Sequence, residues 1–480
     1  MSDRYSIQAS EAPHSEPLPA LLSLLEGLLP VTFGRSAPEQ PEAGMQVLTA
    51  TLAGGEQHRG TSLSTLTVAQ AGDASTPGEL IDISLVFSDD ADVAFPFRGR
   101  SLRTKVSVRP KVLTLGPNDR PLAISELGPV WTVCEGKTAK HFRSGFALPV
   151  LPADGGLADV LNGGCFLETV VLLHWLREIG AGSPPGPSPL RACFIFDDPN
   201  LHWPQYGFVD YRHLAAQAEK ENYHVSFATI PLDAWFTHNG TAEIFRRHRN
   251  RLSLLVHGNN HTKWELAQPY SQAERSFLLR QAIRRIERLE RQSGVTVARV
   301  MVPPHGACSE EMLAALPACG FEAACISHGS LRAHNRARAW TKTLGLLPFE
   351  LVRGCPVLPR WAVSGDVKNT ILLAAFLGQA IILRGHHQDL KNGVELLGDS
   401  ARFINALGPV VWSNMSDLSR SVIQGRASSQ GHASPSPRTD GENGDANALR
   451  PALPSTAYAR RVPAALVRRW LTEARDRILH

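Results

Sequence analysis

From about residue 190 onward the sequence predicts an α/β fold, and ahead of it a β-rich α+β domain. Short apolar runs alternate with helix-length segments between Ala192 and Trp412. That rhythm belongs to a parallel sheet, open or closed into a barrel. The stretch from Val31 to Leu151 breaks instead into β-like runs separated by Gly, Pro, Asn and Asp turns. Polar and metal-capable residues stand just past several of the later apolar runs, where α/β folds assemble their sites.

The elements follow in order along the 480 residues. Residues 1–20, rich in Ser, Glu and Pro, read as a flexible arm. Residues 21–185 form the N-terminal domain, with strands at Gln46–Ala53, Ser62–Ala69, Glu79–Phe87 and Thr104–Val108. One or two amphipathic helices follow over Leu157–Ile179. The Pro- and Gly-rich run from Gly182 to Pro189 is a linker by composition.

The second domain, 186–423, reads as strand then helix throughout. Strand Ala192–Phe196 precedes a helix around Phe208–Glu221, and Val225–Ile230 precedes one around Ala242–Arg249. Strand Leu252–Val256 leads to a long charged helix, Ser271–Gln292, and Val297–Val302 to helix Ser309–Ala318. Strands at Glu322–Ile326, Ala380–Leu383 and Val410–Trp412 complete the set, with a helix at Glu395–Leu407 before the last. Residues 424–460 are rich in Ser, Gly, Pro, Asn and Asp and read as disordered. Residues 461–480 read as a basic amphipathic helix that packs through Leu466, Trp470, Leu471 and Ile478.

Composition bounds the function. The chain is 43% hydrophobic and 20% charged, an ordinary soluble balance. Its formal charge of +4 is small, and no Lys/Arg block or zinc-finger spacing points to nucleic acid. Its seven cysteines are odd in number and form no CxxC pair, so free thiols in a reducing compartment are expected. No signal peptide opens the chain and no apolar run is long enough for a membrane span, so a cytoplasmic location is expected.

The chemistry gathers at strand ends. Asp197-Asp198 closes the first strand of the second domain. Two adjacent carboxylates repel, and a cation on one of them relieves the repulsion. His257 and His261 stand four apart past the third strand, and Gly258 excludes the HExxH pattern of zinc proteases. One Asp and two His suffice to hold a divalent metal with open positions, leaving the other Asp as a base. Pro303-Pro304-His305-Gly306 forms a stiff turn able to present backbone N–H to an oxyanion. His386 and His387 close another strand, where one of them would serve as general acid, oriented by Asp389 or another carboxylate.

In this order the pieces resemble the NodB-type polysaccharide deacetylases of carbohydrate esterase family 4. The family's T-F-D-D-G is matched by Ile195-Phe196-Asp197-Asp198-Pro199, and its H-[ST]-x-x-H by His257-Gly258-Asn259-Asn260-His261. Its R-x-P-[YF]-G is matched by Val302-Pro303-Pro304-His305-Gly306, and its final Leu-rich strand ending in His by Ile381–His387. A Trp-containing motif corresponds to Pro359-Arg360-Trp361. The resemblance spans about 190–415.

It implies a distorted (β/α) barrel. It makes Asp197 the base, Asp198, His257 and His261 the metal ligands, and His386 or His387 the acid. Pro304, His305, Gly306, Asn200 and Trp361 would line the substrate and oxyanion side. The metal implied is Zn2+, with Co2+, Ni2+ or Fe2+ as alternatives. The substrate implied is an N-acylated small molecule or oligosaccharide, with an intracellular sugar precursor or small metabolite fitting the expected location.

The motifs also depart from the pattern. Val302 replaces the Arg that pairs with the base, which leaves Arg299, Arg360 or Arg384 to supply that charge. His305 replaces an aromatic and Pro199 a glycine. A second reading, a decayed scaffold that binds carbohydrate or a metabolite without turnover, draws on these departures; the intact Asp-Asp and His-His sets oppose it. Asp233 and Glu265 are further pocket candidates by their nearness to the motifs.

Overall fold

The computed structural model describes residues 4–9, 31–35, 45–53, 62–69, 81–106, 108–136, 139–147, 166–180, 189–340, 344–345, 347–364 and 367–429. The chain divides into two compact units, Met1–Ser188 with Trp340–Leu347, and Pro189–Ala339 with Pro348–His480.

The first unit holds β1 (Arg4–Ala9), β2 (Val31–Arg35), β3 (Met45–Ala53), β4 (Ser62–Ala69), β5 (Ile81–Phe87), β6 (Ser101–Val106), β7 (Asp119–Ser125), β8 (Gly128–Glu135) and β9 (Lys140–Ala147). They form one sheet in the order β2-β1-β3-β4-β9-β8-β7-β5-β6. Most pairs are antiparallel; β1–β2 and β4–β9 are parallel. Alternation shows in β6, where Leu102, Thr104 and Val106 are buried and their neighbours exposed. Helix α1 (Phe166–Gly180) covers this core, and the Trp175 indole donates to Ser64 Oγ at 2.9 Å. Residues 4–9 of the expected arm are a strand: β1 sits between β2 and β3, so ladder pairing overrides its polar composition.

The second unit holds β10 (Leu190–Asp197), the hairpin β11 (Gln205–Tyr206) and β12 (Val209–Asp210), α2 (Tyr211–Lys220), β13 (Val225–Thr229), α3 (Asn239–Arg247) and β14 (Leu252–His257). It continues with α4 (Gln272–Ser293), β15 (Val297–Val302), α5 (Glu310–Ala318), β16 (Ala323–Cys325), α6 (His328–Ala333), β17 (Glu350–Val352), β18 (Cys355–Leu358) and β19 (Trp361–Ala362). Then come α7 (Val367–Phe376), β20 (Ile381–Gly385), α8 (Glu395–Asn405), β21 (Val410–Trp412) and α9 (Met415–Ser429). The sheet runs β17-β18-β16-β15-β14-β13-β10-β20-β19, with β21 also on β10, and all its pairs are parallel except β17–β18.

Among the described residues no ladder joins the two ends of this sheet, so it is not a closed hydrogen-bonded barrel. It is nevertheless curled. β18 and β19 would stand about 34 Å apart in a flat sheet at roughly 4.8 Å per strand, yet only Pro359 and Arg360 link them, a span of about 11 Å at most. Side-chain size fits the curl. The inner face carries small residues such as Cys193, Ala228, Ala298, Ala323 and Cys325. The outer face carries Phe194, Phe196 and Phe227, with Tyr211 and Phe245 packed edge-on to Phe227 under the helices. Both faces are buried, which is why these strands read as continuous apolar runs.

Helix α4 begins with a capping box between Ser271 and Glu274 and ends at Gly294 in the left-handed region, φ 65°. Helix α9 sends Met415, Leu418 and Val422 into the inner cluster. It takes up residues 424–429, the start of the segment expected to be disordered. The rest of 424–460, the expected helix 461–480, the linker before Pro189 and residues 157–165 lie outside the described residues. No described helix is long and apolar enough to cross a membrane.

Candidate active site

β10 delivers the two carboxylates. Cys193, Ile195 and Asp197 share the inner face by strand alternation. Asp198 then adopts φ 86°, a left-handed value costly for a residue with a Cβ, on the order of 1–3 kcal/mol. That turn takes Asp198 off the strand, so adjacent residues serve one site instead of opposite faces. Asp197 and Arg360 are both 4% exposed, and Arg360 Nη1 donates to Asp197 Oδ1 at 2.7 Å. Of the three arginines open from sequence, Arg360 is the partner. Arg299 bonds Glu290 instead, at 2.7 Å, and Arg384 acts on Asp197 through its charge rather than through a hydrogen bond. Burial pushes the Asp197 carboxyl up, but Arg360, His257 and His386 outweigh it and hold it below its ordinary value.

β14 and the loop after it deliver the imidazoles. His257 Nδ1 donates to the Val302 carbonyl at 2.8 Å, which leaves Nε2 facing Asp198 at 3.4 Å. Val302, where an Arg was expected, thus contributes its backbone. His261 Nε2 lies 3.1 Å from the same carboxylate oxygen. One ligand atom from each of Asp198, His257 and His261 lies within 4.8 Å of the others. Burial raises Asp198, but the two imidazoles hold it well below the usual carboxylate range. Burial lowers His257, and Asp198 with Asp197 more than reverses this. The proton so favoured on His257 is one that a bound cation displaces.

The remaining predicted residues divide. His305, φ 56°, is exposed with its ring 4.9 Å from that of His261. Gly306 and Ala307 give their N–H groups to the carbonyls of Pro303 and Pro304, and Pro304 is buried. Gly306 is therefore no oxyanion donor and Pro304 is packing. His386 is close enough in charge to influence both Asp197 and His305. His387 is packed against the β11–β12 hairpin, stacked on Phe208 at 5.8 Å and edge-on to Tyr206 at 5.5 Å. The structure thus separates two histidines that the sequence left equivalent. The Asp389 carboxylate accepts the backbone N–H of His386 at 2.8 Å, so it holds the main chain there.

Asn200 is buried: its Nδ2 donates to Asp233 Oδ2 at 3.2 Å and its Oδ1 accepts from the His202 N–H at 3.1 Å. With His202 Nε2 on the Asp233 carbonyl at 2.8 Å, it ties the loops after β10 and β13 together. Asn200 and Asp233 thus brace these loops. Trp361, next to Arg360, is half-buried and meets the His328 ring at 6.4 Å. Glu265 lies buried beneath the loop 258–261, where burial pushes its carboxyl up against the pull of three backbone N–H groups. Sequence reasoning missed the exposed rings Trp235 and Phe236, which with exposed Trp203 stand on the tied loops. The density of aromatics between 203 and 236 was the available signal.

No family model matches the chain, and no curated protein matches it. Among solved structures it is similar to Agd3, a novel carbohydrate deacetylase, at 11% identity and TM-score 0.46 over 87% of this chain and 77% of that one. It is similar to the peptidoglycan deacetylase PdaC from Bacillus subtilis (15%, TM-score 0.29, 51% and 97%). The Xyl-CE4 domain of a multidomain xylanase from the hindgut metagenome of Trinervitermes trinervoides is a third (13%, TM-score 0.29, 49% and 91%). At such values the reading of the site rests on its own geometry.

Proposed function

We propose that this chain is a divergent NodB-type deacetylase, a hydrolase that removes an acyl group, acetyl first, from the nitrogen of an N-acylated sugar. One observation carries the reading: a three-donor set, Asp198, His257 and His261, beside a separate buried carboxylate held by Arg360. One carboxylate oxygen and two imidazole nitrogens, with the far nitrogen of His257 committed to a carbonyl, fit a first-row divalent ion, Zn2+ foremost. When bound, such an ion supplies Lewis acidity and acidifies water.

The chain's own groups do the rest. Asp197, kept ionised by Arg360, takes a proton from the attacking water. His386 gives a proton to the departing amine nitrogen, and the left-handed turn at His305 offers backbone N–H to the developing oxyanion. Amide and water become a free amine and a carboxylate. Exposed Trp203, Trp235 and Phe236 on the loops after β10 and β13 offer flat apolar faces suited to sugar rings. Arg360 beside Asp197 weakens one of the two arguments for the decayed-scaffold reading, because it offers the charge that Val302 cannot.

The test is acetate release from N-acetylhexosamine monomers and oligomers by the Zn2+-loaded protein. Wild type is expected to release acetate, and Asp197→Asn to lose about 10²–10⁴-fold. Bound zinc without release from any of these sugars would favour the binding scaffold.

A further inference from the structure

We propose that Glu265 is the positioning residue of the metal site, a buried carboxylate that sets the loop delivering His261. This rests on the reading of Asp198, His257 and His261 as cation ligands. Three consecutive backbone N–H groups converge on Glu265: Asn259 at 2.9 Å, Asn260 at 2.7 Å and His261 at 3.2 Å. Such a concave run of N–H groups is a ready anion site, and here the chain fills it with its own side chain. Glu265 is 1% exposed, and a buried carboxylate persists only when hydrogen-bonded this fully.

The loop needs such a clamp. Gly258, His261 and Trp264 all adopt positive φ, at 61°, 57° and 55°. Two of these carry a Cβ, so the surroundings must over-determine the conformation. From the other side, Arg285 Nη1 donates to Asn259 Oδ1 and Asn260 Oδ1, each at 2.7 Å, and Gln281 accepts from Asn259 Nδ2 at 2.8 Å. The same clamp accounts for Gly258. A Cβ there would lie 2.6 Å from Glu265 Oε2 and 2.5 Å from Pro304 Cγ. Glycine at this position, where the resembled motif has Ser or Thr, therefore follows from the carboxylate and the Pro304 ring packed against it. Glu265 acts on the ion only through His261, by fixing its backbone and adding negative charge behind it.

The experiment is Zn2+ titration against a chromophoric chelator, with zinc X-ray absorption, on full-length wild type, Glu265→Gln, Glu265→Asp and His224→Asn. Glutamine keeps the volume but leaves one acceptor oxygen for three donors. Folded Glu265→Gln should bind Zn2+ about 10–100-fold more weakly, with fewer imidazoles around the ion. Glu265→Asp, charged but shorter, should fall between, and it carries the test where the glutamine variant does not fold. His224→Asn, at the opposite strand ends, should lose stability without changing zinc affinity. A folded Glu265 variant that binds within twofold of wild type with both imidazoles retained would overturn the proposal alone. A wild type that binds no Zn2+ would remove it together with the reading beneath it.

Discussion

Replacing Arg360 by Met tests the charge logic of the site. Arg360 and Asp197 are buried and joined at 2.7 Å, so solvent screening gives little discount. Removing one partner of such a pair leaves an uncompensated charge and costs about 3–5 kcal/mol. In wild type the Asp197 pKa is depressed. Its stabilisation is therefore present above the unfolded value and lost as pH falls through the folded one. Without Arg360, burial is the largest remaining influence and the carboxyl moves up. Asp197 then opposes folding at neutral pH, and protonation relieves it. Urea denaturation should show Arg360→Met destabilised at pH 7 and less so in mild acid. Adding Asp197→Asn should recover much of the loss, a coupling of about 2 kcal/mol or more. The acid limb of the rate profile should shift to higher pH. Wild-type stability for Arg360→Met, with an unmoved acid limb, would refute the argument.

His386→Ala should lower turnover by about 10²–10⁴-fold and His387→Ala by a few-fold at most, read from steady-state acetate release; the reverse ranking would exchange their roles. Gly258→Ala forces a Cβ into a left-handed residue against Pro304 and Glu265. It should cost at least about 1–2 kcal/mol by chemical denaturation and weaken zinc binding with it. His224, bonded to the Asn250 carbonyl and Ser253, is held down to about 4 by burial. It is neutral in the folded chain while the unfolded chain takes up a proton near its ordinary value of 6.5. Stability should be full above that value and fall by up to about 3 kcal/mol as pH drops from 6.5 to 4. His224→Phe should flatten that part of the urea-midpoint profile.

The strand–helix rhythm of the second unit was legible because its strands are buried on both faces, and Val297–Val302 and Val410–Trp412 match to the residue. The short strands β17 to β19 were not, since two to four residues carry no period. The polar sequence of α9 hid it, as four apolar residues, Met415, Leu418, Val422 and Ile423, pack it in place. At the site, residue types at strand ends placed Asp197, Asp198, His257 and His261 together. The roles of Arg360 and Glu265 depend on how the sheet curls and the loop turns, and no spacing encodes either. The choice between His386 and His387 likewise depends on the β11–β12 hairpin that claims one ring.

The most direct test is bound metal per chain in purified wild type, Asp198→Ala and His257→Ala, by elemental analysis after reconstitution with zinc. The account predicts about one divalent ion per wild-type chain, given the single three-donor set among the described residues, and loss of that ion in both variants. A wild-type chain that holds no zinc, cobalt or nickel, or variants that retain the ion, would contradict it.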